Sequence, residues 1–363
     1  MAENYDIPAP KKRMLSLQLD PAKFEKATDE EKRQQDVMAE STTFFKDGMR
    51  RLMKNPLAVM SMIILALVIL IMIFAPLIVP YSYEEIITVE GMRDRGAANL
   101  GPFEYSEMEQ AYMAKYNTRI FPHIMGTDEL CRDYFIRVVY GARVSLLVGV
   151  FASLMVLVIG TLYGAISGYA GGKTDLIMMR IVDIIYTIPD ILLIVLLAFA
   201  LKSPLQHLAQ TPGFHWLTKV GENLISIFVV FALLYWVGMA RMVRSQILQI
   251  KEHEYVTAAK ALGASSGRII RKHLLTNCIG TLIVITTLQI PSSIFTESFL
   301  SFLGLGVAVP MPSLGSLASD AINGINTYPH LLFVPSIMIT LIILSFNLFG
   351  DGLRDAFDPK LRR

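Results

Sequence analysis

The sequence is poor in cysteine: only Cys131 and Cys278 occur in 363 residues. Apolar segments separate the two, so we expect them on opposite sides of a membrane or at different depths in it, where no disulfide can join them. Neither lies in a spacing typical of a metal site. We therefore expect no disulfide and no metal centre, and we assign both side chains to packing.

Two signatures of catalysis are also missing. There is no Gly-x-x-x-x-Gly-Lys-Ser/Thr run to bind phosphates and no His-Glu-x-x-His pair to bind zinc. The formal net charge is only +2, and the basic side chains are not gathered into a patch, so nothing predicts nucleic-acid binding. We predict a chain that is not an enzyme, with no catalytic residue and no cofactor of its own.

Apolar residues, by contrast, are abundant. They make up 53% of the chain, and the mean hydropathy is +0.48, which is typical of a membrane protein with several spans. We predict an all-α fold with six transmembrane helices, over Pro56–Pro80, Val144–Tyr169, Leu176–Leu201, Leu224–Met242, Cys278–Leu303 and Leu331–Gly350. Because a charged tail precedes the first span, that span is expected to act as an uncleaved signal.

The distribution of charge predicts the orientation. Residues 81–135 carry ten acidic side chains against five Lys or Arg, whereas residues 241–277 carry seven Lys or Arg against two acids. Basic loops stay in the cytoplasm, so we place the first segment outside and the second segment inside, with both termini cytoplasmic. Aromatic residues interleave the acids of residues 81–123, so we expect an ordered extracytoplasmic cap.

Five parts follow from this pattern. They are a charged tail expected to be disordered (1–42), an amphipathic elbow helix at the inner surface with the first span (43–80), an extracytoplasmic segment with an interfacial helix (81–142), a core of spans 2 to 6 containing a cytoplasmic loop at 249–276 (143–350), and a cytoplasmic tail (351–363).

The polar run at residues 252–268 interrupts two apolar segments and predicts a helix, a tight turn and a second helix. Gly263 suits the turn because glycine readily adopts the left-handed conformation that ends a helix. The spacing i, i+3, i+4 and i+7 places a small apolar set on one helical face: Tyr255, Ala258, Ala259 and Leu262. Such a face lets another protein approach closely, although an ordinary polar loop fits the pattern equally well.

Four residues of this run, Glu254, Ala258, Ala259 and Gly263, resemble the EAA signature of ABC importer permeases. The runs GTDELxRDxxxRxxYGARVSLLVG, SFLGLG and NxxGDGLRDxxDP are similar to the C-type permeases of dipeptide and oligopeptide importers, over roughly residues 45–363. Cys131 stands where that family usually has glycine. The resemblance implies a bacterial or archaeal cytoplasmic membrane protein that imports peptides by alternating access.

The resemblance also implies partners. They are a homologous second permease, two ABC ATPase subunits that bind ATP and Mg, an extracytoplasmic substrate-binding protein and membrane lipid. In that family the helix with the EAA signature docks on the ATPase, which assigns ATPase coupling to Glu254, Tyr255, Ala258, Ala259, Leu262 and Gly263.

Polar side chains inside spans are the remaining candidates, because such groups usually face a cavity or a partner. They are Asp183, Asp190, Gln289 and Glu297. Each could line the path or contact the second permease, or Asp183 could simply pair with a base such as Arg180. Proline is expected to kink two spans, at Pro189 and Pro291.

Two other functions stay open at this point. An ion-coupled secondary transporter would bind protons or cations at Asp183 or Glu297, but it leaves the alanine-rich loop unexplained. A membrane scaffold or receptor without transport activity is the other alternative.

Overall fold

The computed structural model describes residues 43–212, 214, 217, 221–307 and 311–357. The charged tail predicted at residues 1–42 lies outside the described residues, as does the end of the C-terminal tail, 358–363. The chain forms two units, residues 1–47 and 48–363, and of the first unit only residues 43–47 are described.

Helices make up most of the described chain. In order they are α1 Phe44–Leu52, α2 Pro56–Ile78, α3 Glu107–Tyr116, α4 Tyr134–Ala170, α5 Gly172–Thr187, α6 Asp190–Ala209, α7 Glu222–Leu234, α8 Trp236–Ile250, α9 Glu254–Ala261, α10 Ser266–Ile269, α11 Leu275–Phe302, α12 Leu314–Asp320 and α13 His330–Phe357. Shorter elements are the 3-10 turns Arg95–Ala97 and Ala321–Gly324, a π-helical turn Ile270–Leu274, and the antiparallel strands β1 Thr88–Val89 and β2 Met92–Arg93.

Within the described residues, six helices are long and apolar enough to cross a membrane. We number them spans 1 to 6: Pro56–Ile78, Tyr134–Ala170, Asp190–Ala209, Asn223–Ile250, Ser266–Phe302 and His330–Phe357. The prediction of a mainly helical chain with six spans is thereby confirmed. Several spans are longer than predicted, because the helices continue past their apolar stretches.

The third predicted span, Leu176–Leu201, is interrupted in the structure. α5 ends at Thr187, Ile188 and Pro189 are not helical, and α6 begins at Asp190. The residue before a proline is biased away from the helical conformation, which explains why the helix stops there. Pro291, the other proline expected to kink a span, lies inside the uninterrupted helix α11.

The break lies about half-way along α4. Beside the C-terminal half of α4, α5 packs so that the Tyr163 hydroxyl donates to the Met178 carbonyl oxygen at 2.7 Å. Beside the N-terminal half, Ile194 of α6 packs with Val148 and Ala152. The two short helices therefore follow α4 in succession as one discontinuous span.

The interfacial helix expected before span 2 is not a separate element. Helix α4 starts at Tyr134 and runs for 37 residues without interruption, and Asp133 caps it by accepting the Ile136 N–H at 3.0 Å. Residues 127–133 form a turn instead of a helix. Cys131 has φ +61° in this turn, a left-handed conformation that favours glycine, the residue usual for the family there.

Span 2 packs against span 4 through glycines that recur every fourth residue, at Gly160, Gly164 and Gly168. A Cβ atom added to Gly164 would lie 2.4 Å from the carbonyl oxygen of Ala240. Small residues of this kind allow two membrane helices to approach until their backbones touch. Another glycine of span 2, Gly149, faces span 5, where an added Cβ would lie 2.5 Å from Ile294.

This packing predicts that Gly164→Ala separates spans 2 and 4, because the new methyl group has to displace backbone. We expect a loss of stability of about 1–3 kcal/mol, the usual cost of overpacking. The measurement is the thermal midpoint of the purified protein in detergent. Gly238→Ala is the matched control, because a Cβ at Gly238 would meet no heavy atom within 4 Å. Equal midpoints for the two variants would contradict the close contact.

Topology can be tested with a membrane-impermeant thiol reagent in a variant that lacks Cys131 and Cys278. A cysteine at Ser266, which is exposed at the start of α10, should react only after the membrane is opened. A cysteine at Glu107, exposed at the start of α3, should react in intact cells. The reverse result would overturn the orientation predicted from charge.

Candidate functional site

A cavity of about 600 Å³ lies beside the break between α5 and α6. It is lined by residues from α5, α6, α7, α8, α11 and α13 and by Tyr235, the residue between α7 and α8. Its polar lining residues are Tyr186, Asp190, Tyr235, Gln289, Ser292, Thr296 and Asn347. The helix break before Asp190, the boundary of α7 and α8 at Tyr235, and the proline of α11, Pro291, therefore meet at one cavity.

The cavity carries charge of one sign. Asp190 is the charged residue of its lining, and the described lining contains no Lys, Arg or His. The Asp190 carboxylate accepts the Ile191 N–H at 2.9 Å and forms no ion pair with any described residue. Gln289 lines the same cavity. The structure thus brings two of the four predicted intramembrane residues together.

Asp183 lies outside this cavity. Its carboxylate accepts a hydrogen bond from the Arg241 guanidinium at 2.8 Å, and that guanidinium also lies over the ring of Tyr186, 4.1 Å from its centroid. The partner is Arg241 of span 4 rather than the expected Arg180. The charge of Asp183 is therefore balanced within the chain.

Glu297 is fully buried and lies between spans 2 and 5. Its carboxyl oxygens accept hydrogen bonds from the hydroxyls of Ser145 and Ser301, each at 2.7 Å. Ser145 also accepts the N–H of Leu314, at the start of α12. Glu297 thus joins span 2, span 5 and the segment before span 6, and it does not line the cavity. A path or intersubunit role for any of the four residues stays a prediction.

A further polar contact joins spans 2 and 4 to α5, and sequence reasoning missed it. Arg244 donates from Nε to the Asp175 carboxylate at 2.6 Å, and the Ser167 hydroxyl donates to the same carboxylate at 2.5 Å. In the sequence Asp175 resembles a helix cap, and 69 residues separate it from Arg244, so no local pattern signals the pair.

Most of the predicted face of helix α9 is exposed, including Ala258, whereas Ala259 is half-buried. Tyr255 is 43% exposed and Leu262 is 88% exposed. Val256, on the other side of the helix, is buried and packs with Ile250, Ile269 and other apolar residues at the ends of spans 4 and 5. One side of α9 is therefore fixed to two spans, while the other is open to a partner.

The turn after α9 is glycine-dependent. Gly263 has φ +80°, and the N–H of Ala264 donates back to the Ala259 carbonyl at 3.1 Å, which closes the helix end. The chain continues as α10, the π-helical turn and α11. Residues 263–267 also spell Gly-x-Ser-x-Gly, but they lie between two helices rather than between a strand and a helix, so they do not form a hydrolase nucleophile elbow.

The segment between spans 1 and 2 is folded around a buried histidine. The two ring nitrogens of His123 lie 2.9 Å from the Asp133 carboxylate and 3.1 Å from the Glu109 carboxylate, and all three side chains are at most 2% exposed. Tyr81 stacks on the ring, with 4.8 Å between centroids. Because Asp133 also caps α4, the histidine ties α3 to the start of span 2.

The carboxylates around His123 favour its protonated, charged form. Burial by itself lowers the pKa of His123, but the bonds to Asp133 and Glu109 outweigh it and raise the pKa to about 9. Burial likewise opposes ionisation of Glu109, yet the bonds from His123 and Ser106 hold its pKa below the usual range. Burial raises the pKa of the nearby Cys131 thiol, which makes it a poor nucleophile.

Two family models match the chain. The model described as the binding-protein-dependent transport system inner membrane component matches residues 160–363. The model described as the N-terminal TM domain of oligopeptide transport permease C matches residues 43–102. The two matches together cover all six spans except the first part of span 2.

Curated relatives match along almost their whole length. The oligopeptide transport system permease protein OppC of Bacillus subtilis is 38% identical, over 90% of this chain and 93% of the relative. The dipeptide transport system permease protein DppC of the same organism is 40% identical, over 90% and 89%. The oligopeptide transport system permease protein OppC of Escherichia coli is 37% identical, over 89% and 93%.

The histidine cluster predicts that the cap loosens in alkali. The pKa of His123 in the folded chain, about 9, exceeds the ordinary value of 6.5. The charged histidine therefore stabilises the folded cap fully below about pH 6.5, and this stabilisation is lost as pH rises through about 9. Hydrogen exchange of residues 81–123 should therefore accelerate between pH 7 and 9.5, beyond the change in intrinsic exchange rate.

In His123→Ala this extra pH dependence should disappear, and exchange should already be fast at pH 7. Removing one partner of a buried charged group typically costs about 3–5 kcal/mol, since the other charges stay buried. Exposed His253 provides the control, because His253→Ala should leave the cap unchanged. An unaltered pH dependence in His123→Ala would refute the assignment.

Proposed function

The chain belongs to the family of binding-protein-dependent transport system inner membrane components, and we propose that it works as the C-type permease subunit of an ATP-driven peptide importer. It is a multi-pass membrane protein and not an enzyme; ATP is hydrolysed by partner ATPases. The observation that carries this proposal is the match, over about nine tenths of the chain, to relatives named as oligopeptide and dipeptide permeases.

We propose that a homologous second permease completes the path. The cavity beside Asp190 opens on the side of the bundle where several large apolar side chains, including Ile191 and Phe295, are more than half exposed. A second permease facing this side would cover the apolar surface and close the cavity into a passage. Two ATPases, with ATP and Mg, and an extracytoplasmic binding protein complete the importer.

Coupling is proposed to run through α9. Its open face, with Tyr255 and Leu262, would contact an ATPase, while Val256 fixes its other side to the ends of spans 4 and 5. α8 leads from this end to the cavity, a length of about 22 Å at 1.5 Å per residue. Movement of α9 is thereby transmitted to helices that line the cavity, which is the requirement for alternating access.

The elbow helix is proposed at α1. This helix ends at Leu52, and Asn55 caps the first span by accepting the Leu57 N–H at 3.1 Å. With both termini in the cytoplasm, as the basic loops predict, α1 would lie at the inner membrane surface.

The overall proposal is tested by reconstituting the chain in proteoliposomes with its second permease, the ATPases and the binding protein. Uptake of a labelled peptide panel should require ATP and the binding protein. Absence of uptake for dipeptides and longer peptides, with the complex intact and hydrolysing ATP, would contradict a peptide importer.

The docking face is tested by Ala259→Trp, which places a bulky ring on the small face of α9. We expect peptide uptake to fall at least about tenfold and ATPase subunits to be lost on purification, because the two surfaces can no longer approach. Thr257→Trp is the matched control, since Thr257 is exposed on the opposite side of the same helix. Full uptake by Ala259→Trp would exclude this face as the contact.

A further inference from the structure

The cavity lined by spans 3, 4, 5 and 6 holds a single acidic side chain and no basic one among its described lining residues. Asp190 is exposed in the chain alone, but a second permease covering this side would enclose its carboxylate within the membrane. An ionised group there is costly unless a cation or hydrogen bonds compensate it. The Ile191 N–H supplies one hydrogen bond, and no described residue supplies a cation. The missing cation is therefore expected from outside the chain.

We propose that the Asp190 carboxylate binds the protonated amino terminus of the peptide during its passage. This inference rests on the proposed function, since it concerns the substrate of that importer. The ammonium is a chemical group that free peptides of every sequence share. Asp190 is thus a specificity-determining residue on the path.

The other lining residues fit a peptide bound by its amino terminus. Gln289 and Asn347 present side-chain amides, which can both donate to and accept from peptide groups. Phe295 and Phe299 present aromatic rings that accommodate side chains without demanding a particular one. A cavity of about 600 Å³ lies within the range of small-molecule sites.

An ammonium group suits the site better than a metal ion. Mg²⁺ and Ca²⁺ take six or more oxygen ligands, usually with two or more carboxylates or phosphates. Within the described residues, no group of three or more His, Cys, Asp or Glu side chains could hold a metal. One carboxylate with neutral amides and hydroxyls beside it matches the three donors of an ammonium instead.

The test compares wild type with Asp190→Asn in the reconstituted importer. The substrate is a peptide without Lys, Arg or His, and the same binding protein serves both permeases, so its own selectivity cancels in the ratio of the two rates. Below pH 7 we expect wild type to transport at least about ten times faster, the size of one charge-assisted hydrogen bond.

The pH profile separates binding of the ammonium from a structural role. An α-amino group has an ordinary pKa of about 8, so the ratio of rates should fall towards one as pH rises through 8 to 9. For a second peptide that contains lysine, the ratio should fall in the same way if the amino terminus is bound. A ratio that stays high to pH 9 for this peptide alone would assign the site to side-chain ammonium groups instead and overturn the proposal.

Further variants guard against misfolding. Asp190→Glu keeps the charge and should keep the pH-dependent advantage, and Asp190→Ser replaces Asp190→Asn if the latter does not assemble. Asp355→Asn removes an exposed acid at the far end of span 6 and should transport like wild type at every pH. A ratio of wild-type to Asp190→Asn transport rates that equals one at every pH, or that does not change with pH, would overturn the proposal. Failure of wild type to take up any peptide would instead refute the proposed function.

Discussion

The backbone contact between spans 2 and 4 is the constraint on which the rest of the bundle depends. Lipid tails are as apolar as leucine, so helices in a membrane are held together by close packing and polar contacts rather than by the hydrophobic effect. Gly164 brings span 2 against the backbone of Ala240, and Gly149 brings the same span against Ile294 of span 5. Span 2 thereby fixes its two neighbours at the shortest distance that helices permit.

Polar contacts hold these helices together at two ends of the bundle. Asp175 and Arg244 join α5 and spans 2 and 4 at one end, while Glu297 and the serines around it join spans 2 and 5 to the start of α12 at the other. Removing one partner of such a contact would leave the other buried without its hydrogen bonds, which costs free energy. Between these two ends, α5 and α6 are separated by a break and α11 carries Pro291. The cavity lies at this level. This arrangement is compatible with the alternating access proposed for the chain.

The segment between spans 1 and 2, which we propose to be extracytoplasmic, shows the same use of buried charge. His123 holds two carboxylates, and one of them, Asp133, also caps the long helix of span 2. The cap is therefore continuous with the helix that organises the bundle. At the other side of the membrane α9 is attached to spans 4 and 5 through Val256. A binding protein outside and an ATPase inside would thus act on parts that share span 2 and its neighbours.

The sequence by itself determined the number of spans, their order and the exposed face of α9, because apolar length and helical spacing are local properties of the chain. It also identified the family, from motifs around Glu254 and Gly263. Only the tertiary structure decided which polar residues meet. Asp190 and Gln289 share a cavity although 99 positions separate them, and Glu297 is buried among serines. Such distances depend on how helices pack, and packing in a membrane is set by close fit between distant segments, which no local pattern encodes.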